Sequence, residues 1–579
     1  MLRKMSKRAL LGFGLIATGL VITSVWGGCT PVVRELEGGG GQGSSSSGGT
    51  GGGATACKPG DMVDCYSGPN GTANVGQCKS GKALCGDDGT PGACAGEVVP
   101  SPTPDCKAHQ DQDCDGNVDR CPLEPIWAKT YAYQSITGLS FPGAAVDAQG
   151  NIALAGYFVN QLDFGNALLT STDNGDCYVA KVGPDGTTAW AKQFGDATDD
   201  QYARDVRFDA QGNMIVVGSY YGTLANLGIV VPPSAGSSDA FVVKFNPMGT
   251  ALWARWGGNA SSQSAETLAV APDGSVLVAG TTQSSFNFNG GGPVLASPID
   301  SAKVVFVQRF DADGNPQWGQ VLGGDLAAPP YEDTYGIKVD VNGDVLVSGY
   351  FSGTISFPGI GSYPSSGGDD IFVAKLAGSD GHVIWARTYG SSGGDEGYGL
   401  ATDSKGNVFV SGRFDTSLQV ENTTLVPQFS NTVGAFVIKL DTDGALVWAK
   451  SYGCGVQACG MFIDVGENDT VLLGGAVDGD IDFGGGVLSP GFAQGDASAA
   501  GVVAKLDTDG NYIASRVFQP VPNGGATQFG ALVLNYRIMA TPGTHEIVSA
   551  GTIFGESNFG LGKVGETAAG GPFLLKLAP

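Results

Sequence analysis

From residue 126 to the C-terminus, short apolar runs rich in Val, Ile, Leu and Phe are broken every few positions by Asp, Asn and Gly. Runs of this length bounded by turn formers predict antiparallel strands joined by tight hairpins, not helices. One stretch shows four strand signals in order: Gly399-Leu-Ala-Thr-Asp, Lys405-Gly-Asn-Val-Phe-Val-Ser-Gly412, Ala435-Phe-Val-Ile-Lys-Leu and Leu446-Val-Trp-Ala-Lys. The second signal recurs as Gly150-Asn-Ile-Ala-Leu-Ala-Gly, Gly212-Asn-Met-Ile-Val-Val-Gly, Gly274-Ser-Val-Leu-Val-Ala-Gly and Gly343-Asp-Val-Leu-Val-Ser-Gly, with looser copies at Asp469 and His545. The third recurs from Tyr178-Val-Ala-Lys through Phe241, Phe306, Phe372, Phe436 and Val502 to Phe573-Leu-Leu-Lys. The fourth carries a tryptophan at 127, 190, 253, 318, 385 and 448, with Ile513 in the seventh place. The spacings are 63, 63, 65, 67, 63 and 65 residues. A fixed period of this size marks stacked supersecondary units, none of which buries both its faces alone.

Seven copies of four strand signals predict a mainly β chain with seven four-stranded antiparallel blades, a seven-bladed β-propeller over residues 126–579. The first item of this region is a lone fourth strand, Ile126-Trp-Ala-Lys-Thr-Tyr, and the last is a lone third strand, Pro572-Phe-Leu-Leu-Lys-Leu. Pairing them closes the ring and leaves no bare strand edge. The tryptophans are expected to be mostly buried and equivalent, filling the widening gap between blades. The Asp-x-x-Gly-Asn-Val-x-Val-x-Gly and Phe-Val-x-Lys-Leu signatures resemble the bacterial seven-bladed β-propeller repeat family (SBBP-type), which implies this fold and an exported location but no agreed activity. Leu440-Asp-Thr-Asp-Gly-Ala-Leu-Val-Trp448 is also similar to the tryptophan-docking motif of quinoprotein dehydrogenases, and the same hairpin holds the Asp-box of sialidases. Both comparisons imply packing and turn roles rather than catalysis.

The N-terminus changes the picture of where this propeller resides. Four positive charges precede an apolar run from Ala9 to Trp26, then Gly27-Gly28-Cys29. That is an export signal, and its end resembles the lipobox of bacterial lipoproteins, implying a signal over residues 1–28 and a lipidated Cys29. An uncleaved membrane anchor is the alternative, since eighteen mostly apolar residues just span a bilayer. Thr30 in place of Asp favours the outer membrane of a Gram-negative cell, on its periplasmic face or at the surface. Residues 29–56 contain a Gly/Ser run and act as a flexible tether with a reach of roughly 30 Å.

Residues 57–125 hold Cys57, Cys65, Cys78, Cys85, Cys94, Cys106, Cys114 and Cys121. An even count in an exported, Gly/Pro-rich stretch predicts a small disulfide-rich module. The spacing lacks two close CxxC pairs, which disfavours zinc. Asp111, Asp113, Asp115, Asn117 and Asp119, with Gly116 at the sharp turn, follow the first nine positions of a Ca²⁺ loop, although Pro122 stands where a bidentate Glu belongs. The Cys106–Cys121 stretch resembles a short Cys/Asp metal-binding motif of exported bacterial proteins. A weak Ca²⁺ site, another metal, and a solvated acidic turn held by disulfides all remain open. Cys454 and Cys459 are candidates for a further disulfide, and Cys177 for a buried free thiol.

The net charge of −25 argues against a nucleic-acid partner. His109, His382 and His545 are too scattered for a histidine-based triad or metal site. Acidic residues precede the first strand of several blades: Asp199 and Asp200, Glu266, Glu332 and Asp333, Asp395 and Glu396. They form either a cation- or partner-binding rim or a solvated charged face. The reading these features support is a lipid-anchored envelope or cell-surface protein whose propeller is a non-enzymatic platform for a protein or glycan. A hydrolase or quinoprotein-like oxidoreductase at the central channel, and a structural envelope spacer, are the alternatives.

Overall fold

The computed structural model describes residues 57–579, apart from 102–104, 115, 117, 134–142, 172–173, 197, 299–301, 325–330, 430–431, 456–458, 492–497, 520–531, 555 and 565–569. Cys29, the export signal and the tether therefore lie outside the described residues. The chain divides into a small unit ending at Glu124 and a large unit spanning Pro125–Leu577.

In the small unit, Met62–Cys65 pairs antiparallel with Gly81–Leu84. Disulfides join Cys57 to Cys85, Cys65 to Cys94, Cys78 to Cys114 and Cys106 to Cys121. Few large apolar side chains are buried here, so the covalent links replace a core.

The large unit contains seven four-stranded antiparallel sheets among the described residues. Sheet 1 opens with Gly143–Val146, sheet 2 with Gln201–Phe208, sheet 3 with Gln263–Val270 and sheet 4 with Tyr331–Val339. Sheet 5 opens with Asp395–Thr402, sheet 6 with Cys459–Val465 and sheet 7 with Leu532–Ala540. Sheets 1 to 6 are each continuous in sequence. Sheet 7 takes three strands from the C-terminal end and its fourth, Pro125–Thr130, from the other, which pairs antiparallel with Gly570–Leu577.

The first strands of successive sheets touch from sheet 1 through sheet 7, and that of sheet 7 also touches that of sheet 1. The core lies between the sheets: each apolar cluster draws its side chains from two neighbours, as Val216 and Phe241 of sheet 2 meet Ala153 and Val179 of sheet 1. Sheets 7 and 1 share one too, through Val548 and Leu574 against Ile152 and Leu154.

The repeat tryptophans do not behave as one buried set. Trp385 is 6% exposed and Trp318 9%, whereas Trp127, Trp190, Trp253 and Trp448 are half-buried. What they share is a hydrogen bond. Each indole Nε1 donates to a carbonyl in the third-to-fourth-strand turn of the next sheet: Trp127 to Pro184, Trp190 to Pro247, Trp253 to Ala312, Trp318 to Gly378, Trp385 to Thr442 and Trp448 to Thr508, at 2.9–3.3 Å. The ring lies over the glycine of that turn. Gly444 has φ +76° and a Cβ there would sit 2.9 Å from the Trp385 ring, so only glycine fits beneath it. A cation from the same strand adds to the clasp, as Arg387 lies 5.6 Å over Trp385 and reaches the Asp443 carbonyl at 3.2 Å. The indoles thus clasp neighbouring sheets while packing in or against the apolar clusters between them.

Ile513 stands in the seventh place for a structural reason. A tryptophan in sheet 6 would dock on the third-to-fourth-strand turn of sheet 7, and sheet 7 has no such turn, since its third and fourth strands come from opposite ends of the chain.

The repeated Asp-x-x-Gly-Asn stretches are turn devices. Asp209 Oδ1 accepts from Gln211 N and Asn213 N at 2.9 and 2.8 Å, while Oδ2 takes the Asn213 amide at 2.7 Å. Asp147 and Asp403 make the same set. Much of the chain's negative charge is committed to these bends.

Candidate functional site

The first strands of sheets 2, 3, 4, 5 and 7 each carry a β-bulge at their middle. The extra residues are Arg204, Glu266, Tyr335, Tyr398 and Tyr536. A bulge turns one side chain out of the alternation, and here it aims these residues into the space between the sheets. Tyr335 packs edge-on to Tyr398 at 5.8 Å, Tyr398 stacks on Phe462 of sheet 6 at 5.9 Å, and Phe462 meets Tyr536 edge-on at 6.1 Å. Arg204 and Glu266 continue the circle as an ion pair at 3.6 Å. A glycine inside the second strand belongs to this feature: in sheets 2 to 5 a Cβ on Gly218, Gly280, Gly349 or Gly412 would overlap the carbonyl oxygen of Tyr202, Ser264, Asp333 or Glu396 that the bulge folds across it.

On the side of this circle where the first strands begin, tyrosines and paired charges gather. Tyr331 stacks on Tyr350 at 6.4 Å and Tyr350 on Tyr335 at 5.9 Å. Tyr157 lies 4.7 Å from Tyr202, whose hydroxyl donates to Asp200 at 3.1 Å, and the Arg204 guanidinium lies 5.0 Å over the Tyr202 ring. Lys303 Nζ is 2.8 Å from Asp333 and 4.7 Å over Tyr331. Burial works against a charge on Lys303, but Asp333 and Glu266 outweigh it and hold its pKa above the ordinary range. Glu396 takes Arg413 at 2.6 Å and also the Tyr398 hydroxyl. Burial pushes the Tyr202 hydroxyl up to about 12.

The acidic residues expected as a rim divide into different roles, and a uniformly solvated charged face is not what they form. Glu332 and Asp395 are 0% exposed. Glu332 accepts from Val305 N at 3.1 Å and Gly324 N at 3.3 Å, and burial raises its pKa to about 8. Asp395 accepts from Ser391 N at 2.6 Å and is raised by burial to about 6. Gln201 and Gln263 occupy the same place in sheets 2 and 3 and accept from Asp196 N and Asn259 N. These four pin the incoming loop. Asp333, Glu396 and Glu266 face cations, and of this set only Asp199 is exposed.

Beyond the aromatic circle, toward the ends of the first strands, lies a cavity of about 210 Å³ bounded by the first strands of all seven sheets. Arg207, Lys338, Asp464 and Arg537 line it together with Tyr398 and Phe462. Asp205, fully buried, takes Arg207 Nη1 at 2.7 Å and Arg537 Nη2 at 3.5 Å. It also accepts from Thr267 Oγ1 at 3.0 Å. Lys338 of sheet 4 reaches Asp464 of sheet 6 at 3.2 Å.

Of the candidate Ca²⁺ ligands, Asp115 and Asn117 lie outside the described residues. Asp111 Oδ2 accepts from Gly116 N at 3.1 Å and Asp119 Oδ2 from Gln112 N at 2.8 Å, so these carboxylates hold the bend itself. Among the described residues no group of three or more His, Cys, Asp or Glu side chains is placed to hold a metal ion. His382 sits beside Asp380 in one turn, whereas His545 before the second strand of sheet 7 meets Glu467 of sheet 6 at 2.9 Å. Cys454 and Cys459 form a disulfide between the last strand of sheet 5 and the first of sheet 6, and Cys177 is a buried free thiol.

Residues 384–413 match the family described as Beta-propeller repeat. The chain is 22% identical over 408 residues to an uncharacterized WD repeat-containing protein of Acanthamoeba polyphaga mimivirus, covering 57% of this chain and 29% of that protein. It is 29% identical over 167 residues to the regulatory protein FlaEY of Caulobacter vibrioides, covering 28% of this chain and 17% of that protein. The match thus spans less than a third of the length of either relative. Among solved structures, quinohemoprotein alcohol dehydrogenase from Comamonas testosteroni aligns with a TM-score of 0.35 at 9% identity, over 79% of this chain and 76% of that one.

Proposed function

With a β-propeller repeat in its sequence and four-stranded antiparallel sheets throughout its large unit, we propose that this chain is a lipid-anchored, exported protein whose seven sheets close into one seven-bladed propeller, used as a non-enzymatic platform for a protein or glycan partner. Closure is supported by the Pro125–Thr130 strand completing sheet 7 and by the shared core of sheets 7 and 1. The observation that carries the binding role is the tyrosine-rich mouth. Tyr202 and Tyr331, half-buried and backed by the buried Tyr157 and Tyr350, offer flat rings with polar tips, held in place by stacking and by the paired charges around them. Such amphipathic rings bind with little loss of rotamer freedom. The carboxylates beside them are engaged by cations or backbone N–H groups, which suits a fixed recognition surface.

Two experiments test this reading. Fatty-acid labelling of Cys29 in a Gram-negative host, with Cys29→Ser as the control, decides the anchor, and protein found only in the soluble fraction with no label refutes it. Capture of envelope proteins and polysaccharides on immobilised protein, compared with Tyr202→Ala/Tyr331→Ala, decides the surface. Retention unchanged in the double variant removes the mouth from the proposal.

A further inference from the structure

The cavity between the seven first strands carries an excess of positive charge in a chain whose net charge is −25. Two guanidiniums, Arg207 and Arg537, share the single carboxylate of Asp205. Asp205 is itself further occupied by Thr267 Oγ1 and by the backbone N–H groups of Val206 and Leu268. The other acid at the cavity, Asp464, is taken by Lys338 and by Ala540 N at 3.3 Å. Two acids therefore stand against three cations, and one positive charge is left without a counter-charge. Arg537 is the more exposed to that imbalance. Its Nε has no hydrogen-bond partner among the described residues, and burial together with its neighbour Arg207 depresses its pKa.

We propose that this cavity is an oxyanion site that takes a small carboxylate or phosphate group against Arg207 and Arg537, with the body of the molecule resting on Tyr398 and Phe462. Guanidinium forks match the two oxygens of such groups, and their hydrogen bonds are stronger where water is scarce. The Tyr398–Phe462 stack at 5.9 Å supplies an apolar wall beside the charge, with the Arg537 guanidinium 6.0 Å over the Phe462 ring. The volume of about 210 Å³ holds several waters. It lies below the range of about 300–1,000 Å³ typical of drug-sized ligands, so the occupant is a small solute and not a polymer chain threading the sheets. The net negative charge of the whole chain opposes this only weakly, because exposed charges beyond about 8 Å are screened at physiological salt. The site stands apart from the tyrosine-rich mouth, so either proposal survives failure of the other.

Calorimetric titration of the purified full chain with D-glucuronate, inorganic phosphate and D-glucose at physiological salt tests it. Saturable binding below about 1 mM by either anion, with none for glucose, is the expected result. Response to glucuronate alone assigns a sugar-acid carboxylate, and response to phosphate alone a phosphate group. Asp205→Asn frees both guanidiniums and should tighten binding about tenfold, whereas Arg537→Gln should weaken it at least tenfold. Lys338→Gln, at a more exposed position, should weaken it several-fold and serves if the arginine variant fails to fold. No saturable heat from either anion, or equal affinity in folded wild type and in the folded variants, overturns the proposal.

Discussion

Replacing Trp385 with alanine isolates the sheet-to-sheet clasp. The indole is 6% exposed, donates to the Thr442 carbonyl at 3.1 Å, covers Gly444 and lies beneath Arg387. Deleting a buried tryptophan side chain costs about 3–5 kcal/mol, of which the hydrogen bond and the cation–π contact account for roughly 1 kcal/mol each. The large unit spans about 450 residues, so its unfolding entropy near the midpoint is about 1 kcal/mol per degree if it unfolds as one body. The Tm of that transition should therefore fall by about 3–5 °C, and by only about 1 °C for Trp385→Phe, which keeps most of the ring but loses the donor. Ile513→Trp is the control: with no turn in sheet 7 to receive it, the new indole should raise Tm by less than about 1 °C. Circular dichroism melts of the three variants decide the matter. If Trp385→Ala melts within 1 °C of wild type, or Ile513→Trp stabilises by several degrees, the clasp account is wrong.

Further outcomes follow from the same structure. Glu332 ionises near 4.5 when unfolded but near 8 in the fold; the native state holds the extra proton between those values, so this group weakens folding as pH rises from about 4.5 to about 8. Glu332→Gln, which installs the residue type that sheets 2 and 3 already carry at Gln201 and Gln263, should raise Tm at pH 8 and have no effect at pH 4.5, and a pH-independent change would contradict the assignment. Deleting Gly570–Leu577 removes an interior strand of sheet 7 and strands Pro125–Thr130, so soluble, protease-resistant protein should not be recovered. Reduction without denaturant should unfold the four-disulfide unit first, since each loop of 15 to 36 residues there is worth about 3–4 kcal/mol. Proteolysis mapped by mass spectrometry should then cut before residue 125 while the large unit persists.

The repeat signals locate the strands of all seven sheets, because a hairpin's turn chemistry and its apolar alternation are local. They also place the orphan strands at residues 126–131 and 572–577 in one sheet. The pairing of the eight N-terminal cysteines was not legible, since spacing alone leaves on the order of a hundred connectivities. The bulges escaped notice because Arg204, Tyr335 and Tyr398 read as ordinary strand positions, while Glu266 was expected before its strand and lies inside it. One signal was available: the glycine inside the second strands of sheets 2 to 5, Gly349 among them, marks where a neighbouring carbonyl crosses the backbone. The acidic residues at the start of the first strands looked alike in sequence, yet strand alternation separates the loop-pinning Glu332 and Asp395 from the cation-facing Asp333 and Glu396. Which of two adjacent carboxylates turns inward depends on strand register, and composition carries no information about that.

The splitting of sheet 7 between the two ends of the chain bears on how such a gene can grow. One sequence period runs from the fourth strand of one sheet through the third strand of the next, so copying a period of 63–67 residues adds a whole wedge together with its clasp and its receiving turn. The junction between the ends is untouched by that insertion, because it is made by the same two strands whatever lies between them. Tandem duplication or loss can therefore change the number of wedges without redesigning the seam, and the seam alone fixes where no tryptophan is wanted.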